Sequence, residues 1–155
     1  MRMTKTAKTI AAAALLTLLT ACGSKAADFD VHALADDLAA NITYADSLSP
    51  MDLDTAKMFI NLSDVNAVDG AVYEGSGGTA EEIIVIECAS AEDTKAAENA
   101  LKTRVAEQIE SFTDYVPEEL TKLNAAVIKT SGKYAVLSVS DTPDAAKAII
   151  DKYMK

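Results

Sequence analysis

Carboxylates are the one chemically active group this chain holds in quantity, with 24 Asp and Glu among 155 residues against one histidine, two cysteines and no tryptophan. A pair of carboxyls can cleave a glycosidic bond when one stays protonated and the other ionised. The first suspects are Glu74, Glu81, Glu82 and Glu87, grouped around the glycine-rich stretch Glu74-Gly75-Ser76-Gly77-Gly78-Thr79. Other reagents are too sparse for most chemistry. Any Ser-His-Asp or Cys-His site would have to use His32, and nothing in the spacing brings Cys88 or a particular serine toward it. His32 lies between Asp28 and Asp36 at helical i±4 spacing, which reads as a surface histidine in a weak ion pair. No Ser-x-x-Lys follows residue 22 to supply a nucleophile without histidine. One histidine and one spare cysteine do not make a four-ligand zinc site, and no cofactor is expected.

Two patterns invite a ligand and fall short of one. The glycine cluster lacks the Lys-Ser/Thr of a phosphate loop and runs into Glu81 and Glu82, so it reads as a hairpin connection. Asp28-x-Asp30 and Asp52-x-Asp54 resemble fragments of a calcium loop without its central glycine and terminal Glu, and helix capping explains Asp30 and Asp52.

The most specific pattern is at the start. Arg2, Lys5 and Lys8 precede an apolar run from Ile10 to Leu19, followed by Leu19-Thr20-Ala21-Cys22. That run is ~15 Å long as a helix, about half the ~30 Å hydrocarbon thickness of a bilayer. Its ending resembles a bacterial lipobox, with cleavage between Ala21 and Cys22 and acylation of Cys22. Residues 1–21 are therefore expected to be a lipoprotein signal peptide, 22–27 a lipidated tether reaching ~20 Å at most, and 28–155 a single domain. The expected location is the extracytoplasmic face of the cell membrane. The whole chain holds 14 Lys and Arg against its 24 acidic residues, a formal charge of −10, and without the three basic leader residues the remainder stands near −13. Such a surface repels nucleic acid and anionic headgroups, so the lipid, with its two acyl chains, must hold the domain to the membrane. With Cys22 acylated, Cys88 has no disulfide partner and reads as a small buried hydrophobe.

The elements that must position these groups follow from periodicity and caps. Asp30 caps a helix with apolar positions at Val31, Leu34, Ala35, Leu38 and Ile42, and Phe29 stands at staple spacing from Leu34. A second helix is expected from Ser49-Pro50 to about Asn61. Strands are expected at Gly70–Glu74 and Glu82–Cys88, then a helix capped by Ser90 with Asp93 in the box position, running to about Thr113. After Pro117 and an acidic turn come strands at 125–130 and 134–139, then a helix opened by Pro143. The strand–strand–helix order occurs twice, which reads equally as a duplication and as the generic form of a strand entering a capped helix. The expected fold is α+β: a four-stranded antiparallel sheet from two strand–strand–helix units, with helices packed on one face and two N-terminal helices beside them.

The runs Asp30–Ala35, Leu48–Asp52, Val72–Ile83, Ser111–Pro117 and Ser131–Leu137 resemble a family of small lipoproteins from Gram-positive gut bacteria, domain of unknown function 4358 (DUF4358). The resemblance extends from about Asp28 to Tyr153 and rests on caps, a hairpin and strand ends. It implies an exported, lipid-anchored domain, supplies no catalytic residues, and puts Cys88 at a position for a small apolar side chain. The expectation is a non-enzymatic binding or interaction module of the cell envelope, whose partners are the membrane, through the lipid on Cys22, and an envelope protein or cationic ligand. A carboxylate-based envelope hydrolase and a structural accessory subunit are the alternatives. An open sheet face, if apolar, would favour the last.

Overall fold

A computed structural model describes residues 27–155. The expected leader, the expected cleavage site at Ala21 and Cys22, and all of the expected tether but Ala27 lie outside the described residues.

Helix α1 spans Val31–Asn41 and starts where Asp30 was expected to cap it: the Asp30 carboxylate accepts from the amides of His32 (2.8 Å) and Ala33 (3.4 Å). Val31, Leu34, Ala35 and Leu38 form its buried face. Phe29 joins the same apolar cluster, with its ring stacked on Tyr134 at 4.0 Å between centroids.

The second expected helix is corrected. Ser49–Met51 is a short edge strand, β1, and only Leu53–Ala56 (α2) is helical. Asp52 is the reason: its carboxylate accepts from the Thr55 amide at 2.8 Å and from the Thr55 hydroxyl at 2.7 Å, which starts the helix there. Pro50 is left in an edge strand, a position that tolerates a missing amide proton.

Strand β2 (Ala67–Glu74) pairs with β1 and, through the glycine-rich hairpin, with β3 (Glu82–Cys88). A bulge at Ala67/Asp69 starts β2 earlier than its hydrophobic pattern suggested. Gly70 keeps a tight approach here: a Cβ would stand 3.0 Å from the Leu53 side chain and 3.2 Å from the Val85 carbonyl, so its neighbours would have to shift. Helix α3 (Ala91–Thr113) begins at Ser90, as its box sequence indicated. A 3-10 turn at Pro117–Glu119 and a short helix α4 (Leu120–Asn124) occupy what had read as an acidic turn. The hairpin β4 (Val127–Ser131) and β5 (Tyr134–Val139) and helix α5 (Pro143–Tyr153) complete the chain.

The fold is α+β, but the expected sheet is corrected on two counts. It has five antiparallel strands in the order β1-β2-β3-β5-β4, because Ser49–Met51 adds an edge, and helices cover both faces. On one face α1 and α5 pack over Ala71, Ile83, Val85 and Val136; on the other α2, α3 and α4 pack over Val72, Ile84, Ile86 and Leu137. Successive residues of a strand point to opposite sides, so the unbroken apolar run Ile83–Ile86 requires two cores. The anticipated open sheet face therefore does not exist. Each fully buried leucine or isoleucine in these layers contributes ~2 kcal/mol of transfer free energy.

Candidate functional site

The β2–β3 hairpin fixes the site. Its register sets Glu74 directly opposite Glu82, and the two side chains point to the α3 face with Val72 and Ile84. Like charges in a cross-strand pair repel, so the arrangement needs a cation. Arg104 supplies it from the inner side of α3, one turn after Leu101. Its Nη2 donates to Glu74 Oε1 at 2.6 Å and to Glu82 Oε2 at 3.0 Å, and its Nε donates to Glu82 Oε2 at 3.2 Å. Gln108, one further turn along, accepts from Nη2 at 2.7 Å once its amide is turned so that the oxygen faces the guanidinium. The guanidinium also lies 5.1 Å from the centre of the Phe59 ring.

Burial grades the two carboxyls. Glu82 is completely enclosed, and desolvation pushes its pKa up to about 7 against the opposing pull of Arg104. Glu74 is one-fifth exposed, and burial raises its pKa as well, again with Arg104 opposing. Glu74 and Arg104 line a groove of about 360 Å³ between the hairpin and α3. Its walls include Met51, Phe59 and Phe112, with Ser76 and Gly77 at the rim. Gly77 takes φ +87°, a left-handed conformation that favours glycine. A neighbouring depression of about 460 Å³ shares Glu74, Gly75 and Ser76 and adds Asp46 and Asp52. A third, about 500 Å³, follows the outer side of β2 past His32, Asp36, Asp54 and Asp69.

The other two suspects pair with different cations. Glu81, also enclosed, stands just before β3 and touches the same groove. It accepts from the amides of Ala45 (2.9 Å) and Asp46 (3.0 Å) and from Lys122 Nζ at 3.0 Å. Burial alone would raise its pKa, but these donors outweigh it and lower the pKa. Lys122 also donates to Glu119, whose other oxygen accepts from the Ala80 amide at 2.9 Å. This cluster clamps the loop before β1, the hairpin base and α4 together. Glu87 is a half-buried surface partner of Lys133 at 2.7 Å.

His32 is half-exposed as expected, but its contact is Asp69 of β2, with Nε2 3.3 Å from Oδ1, rather than Asp28 or Asp36. The carboxylate of Asp36 accepts instead from the Tyr73 hydroxyl at 2.5 Å. Cys88 is buried, and desolvation raises its thiol pKa. Asp30 and Asp52 are engaged as caps.

Sequence reasoning missed Arg104, Gln108 and Lys122 as parts of buried networks. A signal was present for the first. Arg104 is the only arginine beyond the leader and stands on the buried stripe of its helix, three residues after Leu101, while Glu74 and Glu82 flank the hairpin symmetrically.

No curated protein and no solved structure matches the chain. The model of one family does match, over residues 45–140, from the loop before β1 to the residue after β5. That span holds every residue of the groove and of the Glu81–Lys122 cluster and leaves out α1 and α5. Because the match covers more than half of the sequence, the chain belongs to the family described as Domain of unknown function (DUF4358).

Proposed function

We propose that the chain is a membrane-anchored, extracytoplasmic binding module without enzymatic activity, whose ligand presents an ammonium or guanidinium group to the hairpin groove. The observation that carries this reading is Glu74: it is the groove-facing member of the carboxylate pair, it engages Arg104 through Oε1, and aromatic rings stand beside it. A cation there gains a charge-assisted hydrogen bond and a ring face, in a chain of strong negative charge. The anchor is supported by Leu19-Thr20-Ala21-Cys22, and incorporation of labelled palmitate that disappears in Cys22→Ala tests it. Calorimetric titration with spermidine and with a lysine-rich peptide tests the groove. Saturable binding should weaken at least ~10-fold in Glu74→Gln, the loss of one charged contact of ~1.5 kcal/mol, and be unchanged in Asp54→Asn. No saturable binding, or equal losses in the two variants, would overturn it.

One observation favours a carboxylate hydrolase as a second reading: adjacent carboxyls have raised pKa values, one of them near neutrality. Against it, the Arg104 guanidinium fills the space between them where a glycosidic bond would have to lie. Release of reducing ends from wall glycan by the wild type, abolished in Glu82→Gln, would install this reading instead. For an accessory subunit the support is thinner. The exposed large hydrophobics among the described residues, Met58, Val68 and Tyr115, stand apart in sequence with no open sheet face to join them.

A further inference from the structure

The entry of the chain into the domain has a direction. Ala27 is buried, the Phe29 amide donates to the Tyr134 hydroxyl at 3.2 Å, and that hydroxyl donates to Asp28 at 3.2 Å. The Phe29 ring stacks on Tyr134 and meets Tyr153 edge-on at 5.6 Å. The N-terminal segment is thus fastened at the start of β5, beside the end of β3, since Tyr134 pairs with Glu87. Helix α1 then runs along β2 toward the hairpin: His32 near its start meets Asp69, Asp36 one turn on meets Tyr73, and the loop beyond it reaches Glu81 and Ser76. The groove is therefore at the opposite end of the sheet from the point of attachment.

We propose that the lipidated domain stands on the membrane with the β4–β5 turn and the start of α3 toward the bilayer and the Glu74–Arg104 groove pointing away from it, open to ligands arriving from outside rather than to lipid or membrane-embedded partners. This rests on the lipid anchor proposed above. Five peptide links separate Cys22 from the docked Ala27, a reach of ~17 Å at full extension. The six residue-to-residue steps of β3 span ~20 Å between the two ends of the domain. The tether is shorter than the distance it would have to cover to bring the groove end down onto the lipid.

The test uses the full-length lipidated protein in phosphatidylglycerol–phosphatidylethanolamine vesicles containing a headgroup-nitroxide lipid. A fluorophore is placed on Ala91→Cys, exposed at the start of α3, or on Gly78→Cys, exposed in the hairpin, where a Cβ meets nothing closer than 3.4 Å. Cys88 is buried and does not compete for the label. The result expected is strong loss of fluorescence at position 91 and a signal at 78 equal to that in nitroxide-free vesicles. Equal quenching at the two positions, or stronger quenching at 78, overturns the orientation while the anchor stands. A protein carrying no acyl group at Cys22, seen by mass in the same preparation, overturns the anchor and the orientation together.

Discussion

Glu82 should make this domain less stable as pH rises through neutrality, and the effect is large enough to measure. Its carboxyl is enclosed, and burial raises its pKa from 4.5 to about 7 in the folded state, while the unfolded chain keeps the lower value. Between those two values the folded protein holds a proton that the unfolded chain has released, so stability falls with rising pH. The contribution is fully present below pH ~4.5 and is lost above pH ~7. Its size is the pKa difference times 1.36 kcal/mol per unit, about 3 kcal/mol, or roughly 10 °C in Tm for a domain of this size. Glu82→Gln keeps the shape and removes the titration. Urea denaturation of both proteins, followed by circular dichroism from pH 4.5 to 8, isolates the effect in the difference between them. Wild type should lose about 3 kcal/mol relative to Glu82→Gln over that interval, and the Glu82 carboxyl carbon should titrate near pH 7 by NMR. A difference that stays flat, or that grows in favour of wild type, would refute the argument that enclosure dominates over the Arg104 pairing.

Two further perturbations probe the remaining supports. Lys122→Met leaves Glu81 and Glu119 enclosed without their cation and should cost about 3–5 kcal/mol in urea denaturation; a loss below ~1 kcal/mol would mean the backbone donors suffice. Ser90→Ala removes the acceptor of the Asp93 amide at the start of α3 and should cost about 1 kcal/mol, read as a lower urea midpoint at constant slope. An unchanged midpoint would show that Asp93, which also accepts from the Asn66 amide at 3.1 Å, holds the junction without the serine.

Local signals in this sequence were strong where one side chain acts on its own neighbours. Asp30 and Ser90 set the starts of α1 and α3, the glycine-rich stretch joins β2 to β3, and the bounds of β3 and β5 follow from apolar runs ending in turn residues. The lipobox-like pattern around Cys22, on which the proposed anchor rests, is likewise local. The start of α2 lies later than Ser49-Pro50 because Asp52, whose carboxylate takes the Thr55 amide, is the residue that caps it. The two-sided burial of the sheet is legible in Ile83–Ile86, a run with no polar face.

What periodicity could not supply is which distant charges meet. Glu74 and Glu82 face each other because the hairpin register aligns them, and Arg104 reaches both because α3 lies across that part of the sheet. Nothing in the local spacing tells that Glu82 meets Arg104 while its neighbour Glu81 meets Lys122. Sequence alone determined the acidic character and the capped starts of α1 and α3, since each depends on short-range chemistry. Tertiary structure decided the second helical layer, the enclosed ion networks and the end of the domain where the groove opens, because those depend on segments that meet only when the sheet assembles.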